Sequence, residues 1–384
     1  MRLLHTADWH LGRVYHGLSL LEDQAHLLDQ FVEQVRQSKP DAVLIAGDVY
    51  DRSVPPAEAV RLLDETLTRI VIGEKTPVIL IAGNHDGPDR LGFGSRLLAE
   101  AGLTVRGMPG TDVEPVILTD EHGEVAIYPL PYAEPALVRQ LLDTEEITDH
   151  NAGLAAQMAR LRAAHQPARR AIVVAHAFVQ GGSVSESERP LSVGGTGSVG
   201  ANVFAGMHYV ALGHLHRPQT VGEPHIHYSG SLMKYSFNEA DQPKSISLVD
   251  LDGEGQVSIE RITLTPRRDL RILEGCLQDL IDVGATDSGR EDYVMARLTD
   301  TGALLDAMSK LRTVYPNALA IERNQSEGSA AGLDPGLDHR KIGIKELFSG
   351  FYEDMTGNAL DEEALKLLVG EIAAIDQSER EVTA

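Results

Sequence analysis

The stretch "PVILIAGNHD", residues 77–86, joins an apolar run to three polar residues that can bind a metal or move a proton. A continuous apolar run of this length is typical of a strand that is covered on both faces of its sheet. Asn84, His85 and Asp86 follow where such a strand ends. Because ligands bind beyond the carboxyl ends of strands in open α/β sheets, this junction predicts a functional site at a sheet edge.

The same alternation of apolar runs with helix-like segments extends over residues 1–265. It is typical of a layered α/β protein in which helices cover the outside of the sheets. The predicted strands are residues 2–8, 41–48, 77–86, 124–130, 169–179, 209–216, 225–231, 245–253 and 257–264. The predicted helices are residues 19–38, 56–72, 89–101, 134–142 and 151–165.

The composition changes after "TPRRDLR", residues 265–271. A small α+β unit is predicted next, with helices at 272–283 and 302–312 and strands at 292–298 and 317–323. A Gly- and Ser-rich linker and an acidic, amphipathic helical tail at 344–375 follow it. We therefore predict three domains, which are residues 1–265, 266–340 and 341–384.

One long segment inside the first domain, residues 181–200, is rich in Gly and Ser and has no periodicity. A loop of about 20 residues within a compact domain is often functional. We expect this loop to shape access to the site, and the alternative is a surface excursion without a role.

The charge balance is acidic, since 57 Asp and Glu residues outnumber 34 Lys and Arg and give a formal net charge of −23. This argues against general coating by nucleic acid and confines any affinity for anions to a local site. The single cysteine, Cys276, cannot form an internal disulfide, and we expect it to be buried as a small apolar side chain. No apolar run approaches the roughly 20 residues that span a bilayer, so we expect a cytoplasmic protein.

Candidate metal ligands follow five of the predicted strands. They are Asp8 and His10, Asp48, Asn84, His176, and His214 and His216. Carboxylate, amide oxygen and neutral imidazole suit Mn²⁺, Fe²⁺ or Zn²⁺. Seven ligands are too many for one catalytic ion, whereas two ions that share a carboxylate would use them all. Such a pair, about 3.5–4 Å apart, can clamp the attacking and departing oxygens of a phosphate ester.

The order of these motifs resembles that of the calcineurin-type metallophosphoesterases, and among them the nuclease subunits of bacterial complexes that process DNA ends. The resemblance rests on "HTADWHLGR", "AGDVYDRSVPP", "AGNHD", "AHAFV", "SESER", "YVALGHLHRPQ", "YSGSLMKYSFNE" and "FYEDMTG", and spans nearly the whole chain. It implies a four-layer sandwich of two mixed sheets flanked by helices. A small α+β cap domain that borders DNA and a set of C-terminal helices would follow this sandwich in the chain. The resemblance also implies an exo- and endonuclease for DNA repair, recombination and replication, acting on duplex ends, hairpins and single strands.

The resemblance further implies roles for individual residues. One Mn²⁺ would be bound by Asp8, His10, Asp48 and His216, and a second by Asp48, Asn84, His176 and His214. His85 would be the catalytic histidine that contacts the phosphate. In "GDVYDRS", the Arg52 side chain has two possible interactions, which are contact with a phosphate and an ion pair with Asp51.

The same resemblance implies an ABC-type ATPase partner and a homodimer within a heterotetramer. The sequence itself has no G-x-x-x-x-G-K-[ST] loop, so we expect ATP hydrolysis to belong to a partner. The tail carries an apolar face that suits docking to another helix or packing on the protein's own core. Its residues are Leu347, Phe348, Phe351, Tyr352, Leu360, Leu365, Leu367 and Leu368.

Two other functions fit parts of the pattern. "GDVYDRS" is close to the "GDxxDRG" of Ser/Thr phosphatases, although "GNHD" stands here where those enzymes usually have "GNHE". A scaffold of the same fold that tethers DNA ends without cutting them is the second alternative. It is disfavoured because every ligand position is filled and His85 is present.

Overall fold

The computed structural model falls into two compact units, Met1–Asp269 and Leu270–Ala384, which are described separately. It describes residues 1–111, 113–189, 191, 197–302, 304–323, 345, 348–350, 352, 358–361 and 364–370. No helix within these residues is long and apolar enough to cross a membrane.

The strands in the described residues are β1 (Arg2–Thr6), β2 (Val14–Tyr15), β3 (Leu18–Ser19), β4 (Ala42–Ala46), β5 (Val78–Ile81), β6 (Leu103–Arg106), β7 (Val116–Asp120), β8 (Gly123–Leu130), β9 (Arg170–His176), β10 (Phe178–Val179), β11 (Ser198–Val199), β12 (Tyr209–Gly213), β13 (Gln219–Val221), β14 (Glu223–Tyr228), β15 (Ser245–Leu251), β16 (Val257–Thr263), β17 (Leu270–Gly275), β18 (Tyr293–Leu298) and β19 (Ala318–Arg323). The α-helices are α1 (Leu21–Ser38), α2 (Ala57–Thr68), α3 (Pro88–Leu91), α4 (Ser95–Ala99), α5 (Pro135–Leu142), α6 (His150–Ala164), α7 (Leu277–Gly284) and α8 (Ala307–Arg312). A π-helical turn, Arg69–Gly73, continues α2.

The first unit contains two six-stranded mixed sheets. One has the order β16-β15-β1-β4-β5-β6, in which the last four strands are parallel to one another. The other has the order β13-β14-β12-β9-β8-β7, in which the four central strands are parallel. The mixed sheets and flanking helices confirm the predicted α/β sandwich.

The two sheets share one core, because alternate residues of their strands point into a single buried cluster. On β4 these are Ala42, Leu44 and Ala46, and on β9 they are Ile172 and Val174. A second cluster lies on the other face of the second sheet, where Met158 and Leu161 of α6 pack against strand residues such as Val173. Burial on both faces explains why the central strands are apolar throughout instead of alternating.

Some local predictions for the first unit were incomplete. The helix expected over 89–101 is divided into α3 and α4, and Gly94 between them has a φ of 74°, which suits glycine. Strands β6 and β7 were not predicted. Both lie at the ends of their sheets, where each pairs with a single neighbouring strand. This pairing stabilises them as strands, although their local sequences do not predict it.

The second unit has a parallel three-stranded sheet, β17-β18-β19, covered by α7 and α8. The prediction of a helix from residue 272 was wrong, because Leu270–Gly275 forms β17 along β18 and the helix begins at Leu277. Pairing with a distant strand overrides the local helix propensity of this segment. Cys276 precedes the helix and is exposed, which contradicts its predicted burial.

The helical tail is described only in part. Phe348, Tyr352 and residues 364–370 are helical, and Leu367 is 72% exposed. Leu347 and Phe351, and the predicted linker up to residue 338, lie outside the described residues. The division of the chain into three domains stays a prediction.

Candidate metal centre

The carboxyl ends of five parallel strands meet at one edge of the sandwich. β1, β4 and β5 belong to the first sheet, and β9 and β12 belong to the second. The structure brings together all eight residues that the sequence singled out. The side chains of six are buried, namely Asp8, His10, Asp48, His176, His214 and His216, while Asn84 and His85 are partly exposed.

The backbone at these strand ends adopts unusual conformations. Asp8, His10, Asp48 and His214 have φ values of 53°, 45°, 48° and 104°. Positive φ is uncommon for residues other than glycine and costs on the order of 1–3 kcal/mol each, so such residues concentrate at functional sites. Four of them within one cluster indicate that the fold bends each strand end to direct its side chain inwards.

Two glycines let these segments approach one another. A Cβ on Gly83 would lie 2.2 Å from Asp48 Oδ1, and a Cβ on Gly213 would lie 1.9 Å from the Ala46 carbonyl oxygen. Neither distance is compatible with a larger residue. The glycines of "AGNHD" and "ALGHLH" therefore allow close packing of the strand ends.

The first group of donor atoms comprises Asp8, His10, Asp48 and His216. His10 Nε2 lies 3.1 Å from His216 Nε2 and 3.7 Å from Asp48 Oδ2. One ligand atom from each of Asp8, His10 and His216 lies within 4.8 Å of the other two. Asp8 is itself oriented by the amide N–H of His214, which donates to its two oxygens at 2.9 and 3.1 Å.

The second group comprises Asn84, His176, His214 and the same Asp48. Asn84 Oδ1 lies 2.9 Å from His176 Nε2 and 3.2 Å from His214 Nδ1. His176 Nε2 is also 3.5 Å from Asp48 Oδ2. Asp48 thus borders both groups, as a shared carboxylate would.

The protonation state of His176 indicates that this centre fits a cation. Its Nδ1 lies 2.9 Å from the Ala46 carbonyl oxygen, which can only accept, so Nδ1 carries the proton. Burial lowers the pKa of His176, and in the neutral ring Nε2 then presents a lone pair to the carbonyl oxygen of Asn84. A cation bound to both atoms would stabilise two acceptors that lie 2.9 Å apart.

The spacing supports the same conclusion. For metal–ligand bonds of about 2.1 Å, neighbouring ligand atoms lie roughly 3.0–3.4 Å apart. The His–His and His–Asn distances of 2.9–3.2 Å are close to this range, and the distances from Asp48 to His176 and His10 are longer, at 3.5 and 3.7 Å. The donor set, without a thiolate, suits a divalent ion such as Mn²⁺, Fe²⁺ or Zn²⁺.

The electrostatics of the centre also favour cations. Burial, and then the neighbouring Asp48 carboxylate, raise the pKa of Asp8 well above its usual value. Burial lowers the pKa of His10 and His214 well below the usual value, so both rings are neutral and fit the role of ligands. Two carboxylates buried close together are an unfavourable arrangement that divalent cations would relieve.

His85 lies at the open side of the centre. Its Nδ1 is 2.8 Å from the carbonyl oxygen of Asp51, its amide N–H donates to Asp48 Oδ1 at 2.8 Å, and its Nε2 is 4.0 Å from Asp48 Oδ2. Since the Asp51 carbonyl can only accept, Nδ1 keeps its proton. Nε2 is therefore the nitrogen that can gain or lose a proton towards the centre.

Two residues to which the sequence analysis gave no role hold this centre together. Asp86 accepts the amide N–H groups of Val49, Tyr50 and Gly83 at 3.1, 2.9 and 2.9 Å, and so joins the loops after β4 and β5. Gln24 of α1 donates to the carbonyl oxygen of His10 at 2.8 Å. The sequence marked Asp86 as one of the polar residues that follow the apolar run, without a role, and nothing in the pattern of α1 marks Gln24.

Asp51 was named without a role. It forms a candidate ligand group with His10 and His85, and its Oδ1 accepts from Arg13 at 3.2 Å. Arg52 is 3.9 Å from Asp51 Oδ2 and is 59% exposed. Contact of Arg52 with a phosphate stays a prediction.

The family models agree with this geometry. Residues 1–218 match the model described as calcineurin-like phosphoesterase, and residues 266–356 match the model described as the type 5 capsule protein repressor C-terminal domain. The chain belongs to the calcineurin-like phosphoesterase family.

Within that family, the chain is similar to proteins named as the SbcD component of the nuclease SbcCD. The protein of this name from Staphylococcus saprophyticus is 35% identical over 360 residues, which are 94% of each chain. That from Staphylococcus epidermidis is 33% identical over 365 residues, covering 94% of this chain and 95% of its own. Among solved structures, a dimetal phosphatase from Danio rerio has a TM-score of 0.41 and 14% identity, over 69% of this chain and 99% of that chain.

Proposed function

We propose that this protein is the metal-dependent nuclease component of an SbcCD-type complex, which hydrolyses DNA phosphodiesters as an exonuclease and endonuclease. The observation that carries the proposal is the convergence of seven ligand side chains and His85, with acceptor atoms facing one another at 2.9–3.2 Å. The names of the relatives support a nuclease. The proposed setting is the cytoplasm, in double-strand break processing, hairpin cleavage, recombination and replication.

The ligand side chains would hold two divalent ions, for which we propose Mn²⁺. Asp8, His10, Asp48 and His216 would bind one ion. Asp48, Asn84, His176 and His214 would bind the other. Bound there, the ions supply the positive charge that activates water and stabilises the phosphate oxygens during in-line displacement. With two Asp carboxylates against two divalent ions, the centre keeps about two positive charges, which attract a phosphodiester to an otherwise acidic protein.

His85 is the proposed general acid. Its protonated ring would donate the Nε2 proton to the sugar oxygen that leaves when the P–O bond breaks, while Nδ1 stays hydrogen-bonded to Asp51. The Asp51 carbonyl orients the ring because the hydrogen bond holds one edge of the imidazole. Since seven other side chains complete the two ligand sets, His85 is not needed for holding the ions.

The test compares substrates and variants with Mn²⁺ present. We expect the protein to degrade a labelled duplex and to hydrolyse bis-p-nitrophenyl phosphate faster than p-nitrophenyl phosphate. We expect His85→Asn to lower cleavage about 10²–10⁴-fold and to retain its metal. The matched control is His122→Asn, a change at an exposed histidine in the turn between β7 and β8, and it should leave the rate unchanged. Faster hydrolysis of the monoester would favour a phosphatase instead.

A DNA-tethering scaffold remains the second alternative and makes the opposite prediction. It would bring DNA ends together without cutting them at any Mn²⁺ concentration. The complete ligand set argues against it, because a scaffold has no need for two buried carboxylates with neutral histidines at a strained strand edge.

We further propose that residues 341–384 bind an SbcC-type ABC ATPase through the apolar face of the tail. Phe348 and Leu367 on this face are 43% and 72% exposed. A pull-down with the ATPase should fail for Leu367→Glu and succeed for Lys366→Glu, which changes the adjacent exposed residue. Equal capture of both variants would argue that the tail packs on its own chain.

The proposed homodimer would use an apolar surface of the first unit. An apolar groove of about 380 Å³ lies between α2, the π-helical turn and α4, and its lining includes Val60, Ile72, Phe93 and Leu98. Phe93 is 85% exposed and Ile72 is 52% exposed. A contiguous exposed apolar surface of this kind is typical of an interface. A second copy would bury it and place two metal centres on one assembly.

A further inference from the structure

The turn Ser185–Glu188, from the "SESER" motif, lies against His216. Ser187 Oγ is 2.6 Å from His216 Nδ1, and Glu188 Oε1 accepts the amide N–H of His216 at 2.7 Å. Ser187 and His216 are 8% and 1% exposed. This part of the long loop therefore packs beneath a candidate metal ligand. Such packing is required neither of a loop that shapes access to the site nor of a surface excursion without a role.

Behind Ser187 lies a buried ion pair. Ser187 Oγ donates to Glu239 Oε1, and Lys244 Nζ donates to Glu239 Oε2 at 2.6 Å. The same Lys244 donates to the His216 carbonyl oxygen at 2.8 Å, which closes a ring of contacts. Glu239 is fully buried and also accepts from Ser236 Oγ at 2.9 Å. A buried carboxylate with these partners is held in one position.

The number of protons shared among Ser187, Glu239 and Lys244 determines which nitrogen of the His216 imidazole is protonated. Glu239, paired with Lys244, is a carboxylate and can only accept, so the single hydroxyl proton of Ser187 points to Glu239. Ser187 Oγ must then accept at its other contact, and His216 Nδ1 must donate. In the neutral ring, His216 Nε2 carries the lone pair, and this is the atom that lies 3.1 Å from His10 Nε2.

We propose that Ser187, held by the Glu239–Lys244 ion pair, is a positioning residue that fixes His216 in the Nδ1–H tautomer with Nε2 directed into the metal centre. Glu188 fixes the backbone of the same residue. The inference rests on the proposed function in so far as His216 binds a metal. Partners that orient a ligand histidine in this way typically contribute about 10–100-fold to metal affinity.

The test uses three variants of the full chain. Ser187→Ala removes the hydroxyl, Ser187→Thr retains it, and Ser183→Ala is the matched control in the same loop, where the hydrogen bonds to Gln219 use the backbone of residue 183. Mn²⁺ binding is measured by titration with detection of the free ion by electron paramagnetic resonance. We expect Ser187→Ala to weaken one of two sites by about 10–100-fold, with Ser187→Thr and Ser183→Ala close to the parent protein.

The tautomer is measured independently of the metal. In metal-free protein labelled with ¹⁵N-histidine, the ring signals of His216 are assigned by their loss in His216→Gln. We expect the parent protein to show a protonated Nδ1 and Ser187→Ala to show a mixture of tautomers. A protonated Nε2 in the parent protein would overturn the inference.

The two measurements separate the inference from the proposed function. If the parent protein binds two Mn²⁺ ions and Ser187→Ala binds them equally well, the positioning role is wrong and the nuclease proposal stands. If the parent protein binds no Mn²⁺ while His216 shows the expected tautomer, the two-metal proposal fails, and the metal-related part of this inference fails with it.

Discussion

Acidification should destabilise the first unit through His227, which lies on β14 between the two sheets. His227 is 1% exposed, and its Nε2 contacts Ser247 Oγ at 2.9 Å. Its Nδ1 has no hydrogen-bond partner among the described residues. Burial, and to a lesser extent the charge of Arg261, lower the pKa of His227 to about 3. The folded protein therefore keeps this ring neutral at pH values where an unfolded chain protonates it.

The size of the effect follows from proton linkage. The ordinary pKa of histidine is 6.5, so between pH 6.5 and 3 the unfolded state binds one proton more than the folded state at this residue. Each pH unit in that window lowers the free energy of unfolding by about 1.4 kcal/mol. Between pH 7.5 and 5 the loss amounts to about 2 kcal/mol, and above pH 6.5 the contribution of His227 is constant.

The assay is urea unfolding of the metal-free protein at pH 7.5, 6 and 5, followed by fluorescence of Trp9. Trp9 is the single tryptophan of the chain and is fully buried in the first unit, so it reports the unit that contains His227. Other buried histidines, such as His5, add their own dependence on pH. The comparison is therefore between the parent protein and His227→Gln, which can still contact Ser247.

We expect the free energy of unfolding of the parent protein to fall by about 2 kcal/mol more than that of His227→Gln between pH 7.5 and 5. Parallel losses in the two proteins would show that His227 is protonated in the folded state. The argument from burial between the sheets would then be wrong.

Three further outcomes are expected. Asp48→Ala should bind both Mn²⁺ ions poorly, because both donor groups border its carboxylate, and metal analysis after dialysis should find far less than in His85→Asn. Phe93→Glu should convert a dimer into a monomer in gel filtration with light scattering, whereas Val283→Glu, an exposed change in the second unit, should not. Gln24→Leu should cost on the order of 1–3 kcal/mol of unfolding free energy in urea, because it leaves the buried amide N–H of Gly12 without its acceptor and removes one donor each from the carbonyl oxygens of Trp9 and His10.

Much of the metal centre could be predicted because strand ends are visible in a sequence. Apolar runs mark buried strands, and parallel strands direct their carboxyl ends to a common edge, so Asp8, Asp48 and Asn84 were expected to meet. The residue types then limited the chemistry to hard and borderline ligands for divalent ions. Helix and strand assignments were weaker where a distant partner decides the outcome, as at Leu270–Gly275, which is a strand only because β18 lies beside it.

By itself, the sequence determined the layered α/β class, the ligand types and the strand ends that carry them, because these depend on local periodicity and side-chain chemistry. Only the tertiary structure decided how the parts face one another. It placed His176 beside Asn84 across two sheets and set Ser187 and Glu239 behind His216. These contacts join residues that are far apart in the chain, and the pairing of the sheets, not any local pattern, brings them within hydrogen-bonding distance.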